Sequence, residues 1–250
     1  DGAFARPTHD ALETNDVYAM NTVGDAERRV LVGWLSSRSG DSDTGHRQWG
    51  GDLVAHELHV RGDGTLGAHP VAGFFERFGA APAQPRAQLG EWDLDGDSAT
   101  FRGGAFGWAS AGATTGLSTF EVTVDLDAQA EEFGVAIHAG DNFDVAYLLR
   151  VEADRGRVVF DRRPHRIDVP FDEHSDRSYV SAPDHEIERP LITDDGQLTI
   201  RIVVDGSAIV TYLNDVALTT RGYDLDGGQF ALYGANGSVA FRHARYGSLA

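Results

Sequence analysis

In Leu117-Ser-Thr119-Phe120-Glu121-Val122-Thr123-Val124-Asp125-Leu126, polar and apolar residues alternate from Thr119 onward. Phe120, Val122, Val124 and Leu126 take one side, and Thr119, Glu121, Thr123 and Asp125 the other. A period of two describes an extended strand with one buried and one wet face, the pattern of antiparallel sheets. The stretch 197–204 repeats it, with Leu198, Ile200, Ile202 and Val204 inward. Asp63-Gly64, Asp95-Gly96, Asp195-Gly196, Asp205-Gly206 and Asn236-Gly237 punctuate such runs. Each dipeptide tolerates the positive φ of a tight hairpin turn. No amphipathic helix competes; the best candidate, 127–132, is barely one turn long. The chain reads as all-β and antiparallel.

Composition narrows the classes further. The 250 residues contain no Cys, which excludes a disulfide scaffold and any Cys-ligated zinc site. Acidic residues number 39 against 21 basic ones, every basic residue is Arg, and the formal net charge is −18. Such a charge opposes the phosphate backbone, so no nucleic-acid partner is expected. No apolar run approaches the roughly 20 residues that cross a bilayer as a helix, so no membrane partner is expected. The chain opens at Asp1 without Met or the pattern of a secretory signal, which reads as a piece of a longer polypeptide. The compartment is unreadable.

A Pro/Ala/Gln stretch at 79–88, with Pro82 and Pro85 and no strand pattern, reads as a linker. Residues 1–78 hold four strand candidates, 17–23, 29–35, 53–60 and 66–71, the number in one propeller blade. A lone blade is unstable, because its neighbours bury its faces. Residues 89–250 hold ten to twelve short strands at the spacing of a β-sandwich.

Particular residues carry a resemblance. Asp16-Val-Tyr18-Ala19 is followed by Arg28-Arg29-Val-Leu-Val-Gly33-Trp34-Leu35, then by Trp49-Gly-Gly51-Asp-Leu53-Val-Ala-His-Glu57-Leu58 and Asp63-Gly64-Thr-Leu66. This order is similar to the last propeller blade of glycoside hydrolase family 32, the β-fructosidases. Asp205-Gly-Ser207 through Asn214-Asp215 to Thr219-Thr-Arg221 resembles that family's C-terminal sandwich signature, and Asp161-Arg162 stands where the family often has Asp-Arg-Ser. Departures are a missing Pro-Arg before Glu57, and Val210 in place of a strand Glu. The resemblance implies one closing blade plus a β-sandwich, with the missing N-terminal blades as partners and a fructose-containing carbohydrate, sucrose or a fructan, as substrate. It implies no cofactor. The family's catalytic carboxylates lie in Trp-Met-Asn-Asp-Pro-Asn-Gly, Arg-Asp-Pro and Glu-Cys motifs, none of which occurs here. No catalytic residue is therefore carried over, and the isolated chain is expected to be inactive.

Candidate sugar contacts are Tyr18, Trp34 and Trp49, since the resemblance places this blade's aromatics near the rim of the central funnel. Aromatic faces stack on the apolar side of sugar rings; the competing role for these residues is blade core. Glu57 is expected to pair with an Arg rather than donate a proton. The string Gly62-Asp-Gly64-Thr-Leu-Gly67 matches a dinucleotide fingerprint, but strands and not a helix follow it. Arg61-Gly62-Asp63 reads as part of a hairpin turn. Asp93, Asp95 and Asp97 have the acid spacing of a calcium loop, yet Ser98 and Gly104 replace its Gly and Glu. They read as a solvated turn, with a calcium-stabilised loop as the alternative. The segment 172–188 gathers His174 and His185 among acids without a zinc spacing and reads as a long surface excursion. No metal ligand is assigned. The alternative to the fructosidase reading is a stand-alone, non-catalytic, lectin-like β-sandwich that binds carbohydrate or a protein partner.

Overall fold

The structure is a computed structural model that describes residues 6–25, 27–164, 187–193 and 195–249. The part of the excursion at 172–186, with His174 and His185, lies outside these residues. The first four strands are β1 (Val17–Gly24), β2 (Arg29–Arg38), β3 (Arg47–Val60) and β4 (Leu66–His69). They form one antiparallel sheet in sequence order, and Val17 lies opposite Leu35. The β3 strand starts well before residue 53, because Arg47 and Gly51 pair with Arg38 and Ser36 through backbone alone, beyond the reach of an apolar pattern.

The 79–88 stretch holds two short strands, β5 (Ala81–Pro82) and β6 (Arg86–Leu89). Side-chain alternation does not announce them, because each adds only backbone pairing to the edge of a larger sheet. Then follow β7 (Trp92–Asp95), β8 (Ser98–Phe101), β9 (Gly107–Ala113), β10 (Leu117–Asp125), β11 (Glu132–Ala139), β12 (Ala146–Glu152) and β13 (Arg157–Arg163). The last are β14 (Ile187–Pro190), β15 (Gln197–Asp205), β16 (Ala208–Leu213), β17 (Val216–Arg221), β18 (Gln229–Ala235) and β19 (Val239–Leu249). Helix is confined among the described residues to single turns such as Phe75–Phe78.

These strands make a sandwich. One sheet runs β17-β16-β15-β10-β19-β8-β7, with β5 added on β19; the other runs β14-β13-β12-β11-β18-β9-β6. Every pairing is antiparallel. The core between them is built from the alternating positions: Phe120, Val122 and Val124 of β10 and Leu198, Ile200, Ile202 and Val204 of β15 meet Phe133, Val135 and Ile137 of β11. Phe120 stacks on Phe230 of β18 with ring centroids 5.1 Å apart. Thr119, Glu121, Thr123 and Asp125 lie on the other face of β10, as alternation requires.

The first sheet lies on the outer face of the sandwich at β16 and β17. Leu58, Ala68 and Phe75 pack there against Val210, Tyr212 and Ala217. Leu31, Leu35, Val54 and His56 are buried on the same side of the sheet. Its opposite side stays open. Truncating Phe120 to Ala should cost roughly 3–5 kcal/mol of stability in urea unfolding. Truncating Leu53, 78% exposed on the open side, should change stability by no more than about 0.5 kcal/mol.

Candidate functional site

The open face gathers the aromatics singled out in the sequence. Tyr18 and Trp34 are cross-strand partners, and Trp34 is also opposite Leu53. Paired positions project to one face, so these side chains form a row. Tyr18 meets Trp34 edge-on at 5.3 Å and Trp49 edge-on at 5.2 Å. Trp49 is 72% exposed, Leu53 and Val23 are also exposed, and Trp34 is partly covered. The Trp34 Nε1–H is shielded from solvent and has no acceptor. The three aromatics are thus neighbours on the open face of the first sheet.

Behind them lies a polar contact with the sandwich. Glu13, just before β1, is buried and its carboxylate is fully occupied. Thr219 donates from its backbone N–H (2.8 Å) and its hydroxyl (2.6 Å), and Thr14 N–H donates at 2.8 Å. His56 Nε2 lies 2.9 Å from Glu13 Oε2, with side chains 0% and 3% exposed, and His56 Nδ1 is 3.0 Å from the Tyr212 hydroxyl. Burial pushes the Glu13 pKa up, but the His56 and Thr219 contacts outweigh it and hold the group below the usual carboxylate range. Burial and the Glu13 charge push the Tyr212 hydroxyl pKa up.

Other fasteners surround this one. Asp16 accepts from Arg47 at 2.6 Å and from the Thr220 hydroxyl at 2.7 Å. Arg221 donates to the carbonyls of Leu35 (2.9 Å) and Ser36 (2.8 Å). Asp43, fully buried after β2, accepts from Tyr147 (2.7 Å), Arg162 (2.9 Å) and the Tyr223 N–H (2.7 Å). Asp215 takes Arg61 at 2.7 Å and His59 at 3.0 Å. That last contact needs Gly67, since a Cβ there would lie 2.3 Å from His59 and 2.7 Å from Asp215. Asp16 opens the Asp16-Val-Tyr18-Ala19 motif, but neither Glu13 nor Asp43 stands out in the sequence, where 39 acids look alike.

Glu57 pairs with Arg28 at 2.9 Å and accepts the Ala72 N–H at 3.1 Å. The Ala72 hydrogen bond and Arg28 hold its pKa low, which suits an anchor and not a proton donor. Arg61-Gly62-Asp63 turns tightly, with Asp63 accepting the Thr65 N–H at 2.9 Å. Asp93 pairs with Arg102, while Asp95 lies opposite Ser98 across the β7–β8 hairpin.

A family model, that of the C-terminal domain of family 32 glycosyl hydrolases, matches residues 84–247. The chain belongs to this family. Its fold is similar to an exo-inulinase from Aspergillus awamori at 18% identity (TM-score 0.62), over 95% of this chain and 44% of that one. It is also similar to a sucrose-6-phosphate hydrolase from Lactobacillus gasseri at 13% identity (TM-score 0.59), over 95% and 42%. The chain therefore spans less than half of these enzymes. A carbohydrate-binding module of class 66 from Bacillus subtilis matches at 14% identity (TM-score 0.50), over 66% of this chain and 96% of that module. No curated protein sequence matches. In this family 32 chain, the Glu13 contribution is complete above the unfolded pKa of about 4.3 and is lost as pH falls below it through the lower folded value. Glu13→Gln should lower stability at pH 7 by roughly 3–5 kcal/mol and flatten the acid limb of urea midpoints measured from pH 7 to 3.

Proposed function

We propose that the chain is the C-terminal portion of a β-fructofuranosidase-like glycoside hydrolase acting on sucrose or fructans. In this reading β1–β4 are the closing blade of a propeller, and the sandwich is the platform that holds it. The observation that carries the reading is the asymmetry of the first sheet. One face is clamped to β16 and β17 by buried polar contacts, while the other exposes Tyr18, Trp49, Leu53 and Val23. An isolated apolar sheet face is an aggregation hazard unless something covers it, and in this reading an adjacent blade covers Leu53 and Val23 and leaves the aromatics at its border.

A retaining glycosidase needs two carboxyl groups about 5–5.5 Å apart, one as nucleophile and one as proton donor with a raised pKa. These groups belong, in this reading, to the preceding blades. This chain contributes the wall of the funnel, where Tyr18, Trp34 and Trp49 offer aromatic surface and an unpaired indole N–H to a sugar. The likeness to a carbohydrate-binding module supports a second reading, in which the sandwich binds carbohydrate without catalysis.

Fructose release distinguishes the two. The 250-residue chain should release none from sucrose or inulin, and the parent polypeptide with its upstream blades should release it from at least one. Turnover by the isolated chain would refute the proposed division of labour. A parent gene that encodes no acidic motifs upstream would favour the binding module. In the parent enzyme, Trp34→Ala should raise KM several-fold with little change in kcat, the signature of lost uniform binding.

A further inference from the structure

A cavity lies away from the aromatic cluster, beneath the segment that leaves β4. It holds about 750 Å3, within the range of small-molecule sites. Its roof is Pro70, Val71, Ala72 and Phe75, and its floor is the outer face of β15, β10 and β19. There Glu121 lies directly between Arg201 and Arg245 in the pairing register. Arg201 is ion-paired with Glu121, and Arg245 donates to the Ala80 carbonyl at 2.6 Å.

Cross-strand Arg–Glu–Arg rows are ordinary on the wet face of a sheet. The roof makes this one different. It is fixed at one end by the Ala72–Glu57 hydrogen bond and at the other by buried Phe78, whose Cβ lies where a side chain at Gly247 would need to go. The roof is therefore held above the charged row. Among the Arg and Glu side chains of the lining, two Arg balance Glu76 and Glu121. This set carries no net charge that would favour an anion or a cation as a whole, while its alternating charges present local donors and acceptors. A ligand that suits it is neutral, has an apolar face for Pro70, Val71 and Phe75, and presents hydroxyls to carboxylate and guanidinium groups. That is the chemistry of a sugar ring. The row spans two strand spacings, about 9.5 Å, which favours more than one ring.

We infer that this cavity is an accessory binding site for a short neutral oligosaccharide, held by Glu121, Arg201 and Arg245 beneath the 70–75 roof. The site is separate from the Tyr18–Trp34–Trp49 cluster. Its choice of fructose-containing ligand rests on the fructosidase reading above; the site itself does not.

Calorimetric titration of the 250-residue chain with inulin-type tetrasaccharide, maltotetraose and inorganic phosphate tests it. The fructo-oligosaccharide should bind at one site. Glu121→Gln and Arg245→Gln should each weaken binding at least tenfold, while Arg102→Gln, on the remote β7–β8 edge, should leave it unchanged. Thermal unfolding of each variant checks that the fold is intact. Preference for maltotetraose, lost in the same two variants, would keep the site and sink only its link to fructans. Binding that survives both variants but disappears in Trp34→Ala would overturn the site and move the ligand to the aromatic cluster. Binding of phosphate alone, or of nothing, would also overturn it. Failure of the parent polypeptide to release fructose would refute the enzyme reading without touching this site.

Discussion

The buried carboxylate of Glu13 is the centre of the polar contact that orients the first sheet on the sandwich. An ionised group out of water is costly unless its lone pairs are filled, and then only in the geometry that fills them. Thr14 and Thr219 supply three donors, and the His56 ring of β3 approaches to 2.9 Å. A purely apolar contact would tolerate sliding of one sheet over another. This one has a single register, because any shift would strand the carboxylate. Asp16, Asp43 and Arg221 repeat the principle around it.

The residues behind the family resemblance have a common task. Asn214, at positive φ, accepts the Thr199 N–H and donates to the Ile192 carbonyl, shaping the turn before β17. The neighbouring Asp215 then holds Arg61 and His59, Thr219 holds Glu13, and Arg221 reads two carbonyls of β2. Arg162 reaches Asp43 and Asp224 from β13. These motifs attach the first sheet to the sandwich. Scattered polar residues far apart in sequence thus describe one interface, which is why their order is more telling than any of them alone.

Much of the fold was legible because burial writes a period of two. The faces of β10 and β15 follow directly from Phe120, Val122, Val124 and Leu198, Ile200, Ile202. The four strands of the first sheet were legible as well, but the meeting of Tyr18 with Trp34 across β1 and β2 was not. Strands β5 and β6 were not, since their pairing uses backbone groups and leaves no side-chain rhythm. Nor was the fate of His56, which reads as a departure from the family pattern at Ala55-His56 and is the partner of Glu13. Buried acids carry no local signature in a chain so rich in acid. The cavity under 70–75 depends on the height of a roof, which spacing along the chain does not encode.

Amide hydrogen exchange on the 250-residue chain tests the central claim most directly: that buried polar contacts weld the first sheet to the sandwich as one cooperative unit. The account predicts that the amides of Leu31, Leu35, Val54 and His56 open with the same free energy as those of Phe120 and Ile200, through global unfolding. Exchange in β2 and β3 that is fast and independent of the sandwich would contradict it.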